Sequence, residues 1–401
     1  MIQAGISCII LFQAREAMKF EFATATRIIF GPGTIQQVTP LAIEMGKRAC
    51  VVTGRTAERA QPILEQLNAH KIEYVTFSVT GEPTIDTVKN GIELARNAEI
   101  DFVISIGGGS VIDTGKAVAA MLTNSGQLEE YLEVVGAGKP LSRIAAAHIA
   151  IPTTAGTGAE VTRNSVLAVP KQKVKVSMRS HLMLPRLAVV DPELTYSMPQ
   201  AVTANTGMDA LTQLIEAYTS RNSNPLTDGI CREGLKRAGS SLKRAYENGN
   251  DKIAREDMAI ASLFGGLGLA NAKLGAVHGL AGPLGGMIST GHGAICAGLL
   301  PYVLEANVRA LQNRRPDSEA LARYDDVAQI LTGRATVKAI DGIKWVFEIY
   351  KTLQIQPLSR LGLEEQDFPT AAAKAQKSSS MKGNPIDLTK EELTEILKKA
   401  T

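Results

Sequence analysis

Between Ala49 and Met121 short apolar runs alternate with segments of helical spacing, and this limits the possible folds more than any other feature. The runs are Ala49–Thr53, Glu73–Phe77 and Asp101–Ile106; the helical segments are Thr56–His70, Thr84–Asn97 and Ser110–Met121. In Thr84–Asn97 the apolar positions are Ile85, Val88, Ile92 and Leu94, with Thr84 placed to cap the helix. Strands of this length separated by helices imply βαβ units and a parallel sheet. Their nearly continuous apolar character fits a sheet covered on both faces. Phe20–Phe30 alternates β-forming residues up to Gly31-Pro32-Gly33 and predicts a strand or hairpin. His148–Ile151, Lys173–Ser177 and Leu187–Val190 predict further strands.

Asp191-Pro192 ends this pattern. Beyond it Ala201–Tyr218, Pro225–Asn248, Asp257–Asn271 and Glu391–Lys399 read as helices, and few β-rich runs remain. The chain therefore divides into an α/β domain over 18–192 and an all-α domain over 193–401. A length of 401 residues accommodates two or three domains. Residues 1–17 read as an N-terminal extension. Their apolar run, Ile6–Phe12, falls short of the roughly 20 residues of a membrane span and lacks the basic flank and cleavage site of a secretory signal.

The charge balance excludes some partners. Lys and Arg number 43 against 40 Asp and Glu, so no basic excess calls for nucleic acid or an anionic membrane. The four cysteines, Cys8, Cys50, Cys231 and Cys296, form no CxxC pair, which argues against a zinc knuckle or a disulfide framework and for a reducing cytoplasm.

Two loops carry candidate phosphate chemistry. Gly107-Gly108-Gly109-Ser110 lies between the Asp101–Ile106 strand and the following helix. Glycines let the backbone approach a ligand, and the helix N-terminus offers unpaired N–H groups and a positive dipole end to a pyrophosphate. The bland alternative is a tight βα turn that needs only small residues. Pro152-Thr153-Thr154-Ala155-Gly156-Thr157-Gly158 supplies hydroxyls and glycines at another strand end, for phosphate or nicotinamide amide, or only for local turn bonds. The first βα turn is Thr53-Gly54-Arg55-Thr56. A carboxylate there would hold the ribose hydroxyls of NAD and repel a 2′-phosphate. Gly54 removes that repulsion and Arg55 can pair with the phosphate, a lean toward NADP over NAD, unless Arg55 is a solvated loop charge.

A second constellation suits a metal. Asp209 and Gln213 stand four apart on one helix and share a face. His278 and His292 lie in Gly-rich stretches and are two of only five histidines. Carboxylate oxygen and imidazole nitrogen fit Fe²⁺ or Zn²⁺, with Gln213 adding a weaker neutral oxygen. Taken singly, each residue has an ordinary alternative: a helix cap, a polar surface residue, a structural histidine.

Together these segments resemble the iron-containing (group III) alcohol dehydrogenase family. The matching stretches are GPGTI (31–35), EPTIDTV (82–88), GGGSVIDTGK (107–116), PTTAGTGAEVTRNS (152–165), GMDALTQLIEAY (207–218), VHGLAGPLGG (277–286), GHG (291–293) and SSSMKGNPIDLT (378–389). They run in order over nearly the whole chain from about residue 20. The resemblance implies a dinucleotide-binding domain, a helical domain, an active site in the cleft between them, and a homodimer. It implies reversible oxidation of a small alcohol by NAD(P), with Asp209, His278 and His292 at the reaction centre. Cofactor contacts would fall on Gly108, Gly109, Ser110, Thr153, Thr154, Thr157, Asn164, Lys175 and Leu194, beside Gly54 from the first βα turn, and metal contacts on Asp209, Gln213, His278 and His292. Two positions depart from the pattern. Gln213 stands where the family has His, which should weaken the site or change its preferred metal. Gly282 stands where a further His often occurs and removes a candidate proton relay. Rival readings are a glycerol dehydrogenase-like or maleylacetate reductase-like enzyme of the same fold, and a non-catalytic nucleotide-binding protein whose metal site has decayed.

Overall fold

Residues 18–401 are described by the computed structural model; the extension expected over 1–17 lies outside them. In chain order the elements of the first half are β1 (Arg27–Phe30), α1 (Val38–Ala42), β2 (Arg48–Thr53), α2 (Gln61–Ala69), β3 (Glu73–Ser78), α3 (Ile85–Asn97), β4 (Phe102–Gly107), α4 (Gly109–Thr123), β5 (Ala147–Pro152), β6 (Asn164–Val169), β7 (Val174–Arg179) and β8 (Leu187–Val190). Six strands form one parallel sheet in the order β1-β8-β5-β4-β2-β3.

Alternation along the strands builds two cores. Ala49, Val51, Phe102, Ile104 and Ile106 face α1 and α2, where they meet Val38, Ile63 and Leu67. Cys50, Val52 and Val103 face the other way and meet Val88 and Ile92 of α3 and Val118 and Met121 of α4. Both faces are buried, which is why the strands lack polar residues at every second position. Thr84 caps α3 as expected, accepting a hydrogen bond from the Thr87 N–H at 3.1 Å.

The chain runs outward from β2 to β3, then crosses back to place β4 on the other side of β2. The carboxyl ends of β2 and β4 therefore flank a topological switch point, the usual crevice for a ligand in such sheets. The Thr53-Gly54 and Gly107-Gly108 turns both open there.

The second half is helical: α5 (Gln200–Thr219), α6 (Pro225–Glu247), α7 (Lys252–Ala272), α8 (Ala276–Met287), α9 (His292–Arg314), α10 (Glu319–Thr332), α11 (Ala339–Thr352), α12 (Phe368–Gln376) and α13 (Lys390–Ala400). Helix α5 is its axis, with every residue from Gly207 to Thr219 buried. Among the described residues α9 is the one helix long and apolar enough to cross a membrane, and most of it is packed inside this bundle.

Four local expectations are corrected. Of Phe20–Phe30 only Arg27–Phe30 is a strand. Upstream, the Ala23 N–H and C=O bond the Asn271 side chain of α7 instead of a ladder (2.7 and 3.0 Å). The Lys173–Ser177 strand, as β7, pairs with the unanticipated β6 in a separate antiparallel hairpin. The helix expected from Asp257 starts at Lys252, because Asp251 caps it by accepting from the Ala254 N–H at 3.0 Å. Thr56–His70 divides into a 3₁₀ turn and α2, with Pro62 in the first turn of the α-helix.

Candidate functional site

Asp209, Gln213 and Glu216 occupy positions i, i+4 and i+7 of α5 and so lie along one stripe. That stripe is buried, and each side chain needs a partner there. Glu216 finds two on α8. Its Oε1 accepts from the Val277 N–H at 2.6 Å, and its Oε2 lies 2.7 Å from His278 Nδ1. The carboxylate thereby meets the positive end of α8 and fixes the imidazole. With Nδ1 occupied, His278 presents Nε2 to Asp209 Oδ1 at 3.3 Å. That pair is close but misaligned, so Oδ1 stays buried without a hydrogen-bond partner.

Helix α9 completes the group. His292 begins it, and Cys296 follows one turn later on the same face. Cys296 Sγ lies 3.5 Å from His292 Nε2 and 3.8 Å from His278 Nε2. Ligand atoms of Asp209, His278, His292 and Cys296 all lie within 4.8 Å of one another.

The electrostatics match the crowding. Burial disfavours charge on His278, yet Cys296, Asp209 and Glu216 outweigh it and raise this imidazole well above its usual value. Burial likewise opposes ionisation of Asp209, but the adjacent His278 Nε2 and the charge of the two imidazoles hold its carboxyl below the usual range. Burial drives His292 down to about 4, against the pull of Asp209. Burial also pushes the Cys296 thiol up to about 12. A divalent cation among these donors would satisfy the orphaned Asp209 oxygen and both Nε2 atoms at once, so the residues present fit one.

Gln213 is engaged elsewhere. Its Nε2 donates to Gly156 O at 3.1 Å and Thr157 O at 3.4 Å. Its Oε1 is buried without a partner and lies against α7, 3.0 Å from where a Cβ on Gly265 would stand. Gln213 thus ties the helix bearing Asp209 to the loop after β5.

That loop meets the glycine turn. A Cβ on Gly109 would stand 2.8 Å from the Thr157 side chain, and one on Gly108 would stand 3.5 Å from Thr154 Oγ1. The Thr153 N–H donates to Gly107 O at 3.0 Å. Gly54 lies beside the first turn of α4, where its Cβ would be 3.8 Å from Val111. Thus Gly54, Gly108, Gly109, Ser110, Thr153, Thr154 and Thr157 converge at the switch point.

The other three expected cofactor residues engage other groups. The side chain of Lys175 on β7 is buried, with Nζ 3.1 Å from Glu82 Oε1, and abuts Gly285 of α8. Asn164 gives its backbone oxygen to the buried Lys116 Nζ at 2.8 Å. Leu194, in the turn after β8, packs against the core on the α1–α2 face of the sheet.

Two residues of the cluster escaped the sequence reading. Glu216 carried a signal, the seven-residue interval from Asp209 along one helix face. Cys296 carried one too, the four-residue interval from His292.

Residues 25–192 match the family model described as iron-containing alcohol dehydrogenase, and residues 203–401 match the C-terminal model of the Fe-containing alcohol dehydrogenase family. Alcohol dehydrogenase 4 of Saccharomyces cerevisiae (strain ATCC 204508 / S288c) is 34% identical over 379 residues, covering 92% of this chain and 96% of that protein. A crystal structure of a 1,3-propanediol oxidoreductase matches with a TM-score of 0.88 at 32% identity, over 96% of this chain and 100% of that one. Sulfoacetaldehyde reductase from Bifidobacterium kashiwanohense, solved in complex with NAD+, matches with a TM-score of 0.83 at 26% identity, over 96% and 99% of the two chains.

Proposed function

The chain belongs to the iron-containing alcohol dehydrogenase family, and from that premise we propose that it interconverts a small primary alcohol and its aldehyde with NAD(P), using a divalent cation held by Asp209, His278 and His292. The observation that carries this reading is the Gln213 bridge. One loop touches the glycine turn through Thr154 and Thr157 and, through Gly156 and Thr157, receives the amide of the helix bearing Asp209. The residues that would hold a dinucleotide and those that would hold a cation are thus joined through one loop.

When bound, Fe²⁺ or Zn²⁺ supplies Lewis-acid polarisation of the substrate oxygen, and the nicotinamide gives or takes the hydride. The chain's own work is positional. Glu216 holds His278 with Nε2 forward, and burial of Asp209 and His278 keeps water from competing for these groups. The Gly108–Ser110 turn offers the N-terminus of α4 to the pyrophosphate. No side chain at Gly282 can take a proton, and nothing lies within 4 Å of where its Cβ would stand. We assign proton exchange there to solvent.

A cavity of about 340 Å³ at the ends of β2 and β3, lined by Thr53, Glu58, Gln61, Leu64, Thr76 and Ser78, suits the adenosine end. Gly54 and the exposed Arg55 favour a 2′-phosphate there and Glu58 opposes it, which supports use of NADP(H) beside NAD(H). The unpaired Cys50, Cys231 and Cys296 support a reducing compartment.

Turnover of small alcohols and aldehydes with NAD(H) and NADP(H), with Fe²⁺ or Zn²⁺ added, tests the assignment. His278→Ala should abolish turnover while NAD(P)H still binds in a fluorescence titration. Unchanged turnover would remove the metal assignment, and tight nucleotide binding without metal or turnover in the parent would remove the enzyme.

A further inference from the structure

The geometry points to Cys296 as a direct ligand of the cation, taking as a thiolate the coordination position for which Gln213 is the other candidate. This rests on the metal reading above and adds one residue to it.

The distances carry the case. Bonds of about 2.0–2.1 Å to N or O and about 2.3 Å to S, set at tetrahedral angles, place N and O about 3.3 Å apart and S and N about 3.6 Å apart. The separations are 3.3 Å between His278 Nε2 and Asp209 Oδ1, and 3.5 and 3.8 Å from Cys296 Sγ to the Nε2 atoms of His292 and His278. These three separations match edges of a tetrahedron sized for a transition metal, and all four ligand atoms lie within 4.8 Å of one another. The carboxylate oxygen on it is buried and unpartnered, so the sulfur belongs to a cluster already directed at a ligand.

Gln213 makes the weaker candidate because its amide nitrogen is committed to two carbonyls across the domain boundary, and its oxygen is turned against α7. Charge favours the same choice. Asp209 with a thiolate neutralises a dication within its own donor set, whereas with an amide the balance is left to Glu216 behind His278. Binding would release the thiol proton to solvent, with no change of oxidation state. A thiolate also inclines the site toward zinc over iron, since softer ligands prefer it. Among the described residues the other cysteines are remote from the cluster, Cys50 in β2 and Cys231 in α6.

Full-length protein stripped of metal and titrated with Co²⁺ provides the test. The parent should develop visible d–d bands together with a near-ultraviolet thiolate-to-cobalt charge-transfer band. Cys296→Ser and Cys296→Ala should lose the charge-transfer band and bind Zn²⁺ at least about tenfold more weakly in chelator competition. Gln213→Ala should keep the band. Cobalt bound by the parent with d–d bands and no charge-transfer band overturns the cysteine assignment and leaves the metal reading intact, and needs no variant to fold. A band that persists in either folded Cys296 variant overturns it equally. Failure of the parent to retain Co²⁺ or Zn²⁺ in equilibrium dialysis overturns both.

Discussion

Glu160 shows what burial does to a single charge. It is 1% exposed, its Oε2 has no partner, and burial pushes its carboxyl up to about 7 despite the pull of Lys116. The folded protein therefore holds this proton more tightly than the unfolded chain, whose Glu titrates near about 4.3. Stability falls as pH rises through the interval between those values and is fully lost from this source above the upper one. Glu160→Gln removes the term. Its stability gain over the parent should be larger at pH 8 than at pH 5 by about 2–3 kcal/mol, read from urea midpoints. An equal difference at both pH values would refute the shift. His148 lies at the opposite extreme. Burial and the Lys116 charge lower it to about 3, so it stays neutral beside Ser105, its Nε2 2.9 Å from Oγ. A histidine count alone does not separate such a core residue from His278 or His292, because the sequence does not say which charges surround each ring.

At the scale of elements, α4 lies closest to the sheet at Gly115. A Cβ there would stand 1.8 Å from Ser105 Oγ and 2.9 Å from His148 Nε2. Gly115→Ala should cost about 3 kcal/mol in chemical denaturation, as overpacking of a filled core does. Ser105→Ala in the same chain should restore part of it by removing the clashing oxygen. The helical period around Gly115 is plain in the sequence, and the reason for glycine is not, since it depends on a strand ten residues upstream and another beyond it. The β6–β7 hairpin makes the same point. Its alternation is that of any half-buried strand, and pairing outside the main sheet depends on what the rest of the chain has already occupied.

For the whole molecule, function depends on how the two halves meet, and Gly158 and Gly266 form one of their closest approaches. Gly158 has φ of +58°, and a Cβ on it would lie 2.4 Å from Gly266 Cα on α7. Gly158→Ala should therefore strain the backbone and also part the α/β half from the helical half. We expect calorimetry to show a lowered and broadened transition, and turnover to fall more than nucleotide affinity, because the glycine turn lies on one side of the contact. Gly266→Ala approaches the same spot from the other side, 2.4 Å from Gly158 O, and should act alike. Normal melting in both variants would show that this contact does not hold the domains together.

The sequence by itself determined the parallel α/β half, the helical half, the glycine turn and three of the four clustered donors, because periodicity and loop chemistry are local properties written in consecutive residues. Glu216 and Cys296 also left intervals of seven and four residues along their helices, but an interval states only that two side chains share a face. Which faces are turned toward each other was decided by tertiary packing. Helices α5, α8 and α9 bring Asp209, His278, His292 and Cys296 within 4.8 Å, while the loop after β5 draws the Gln213 amide away to its carbonyls. Such contacts span tens of residues of chain, and no local pattern encodes them.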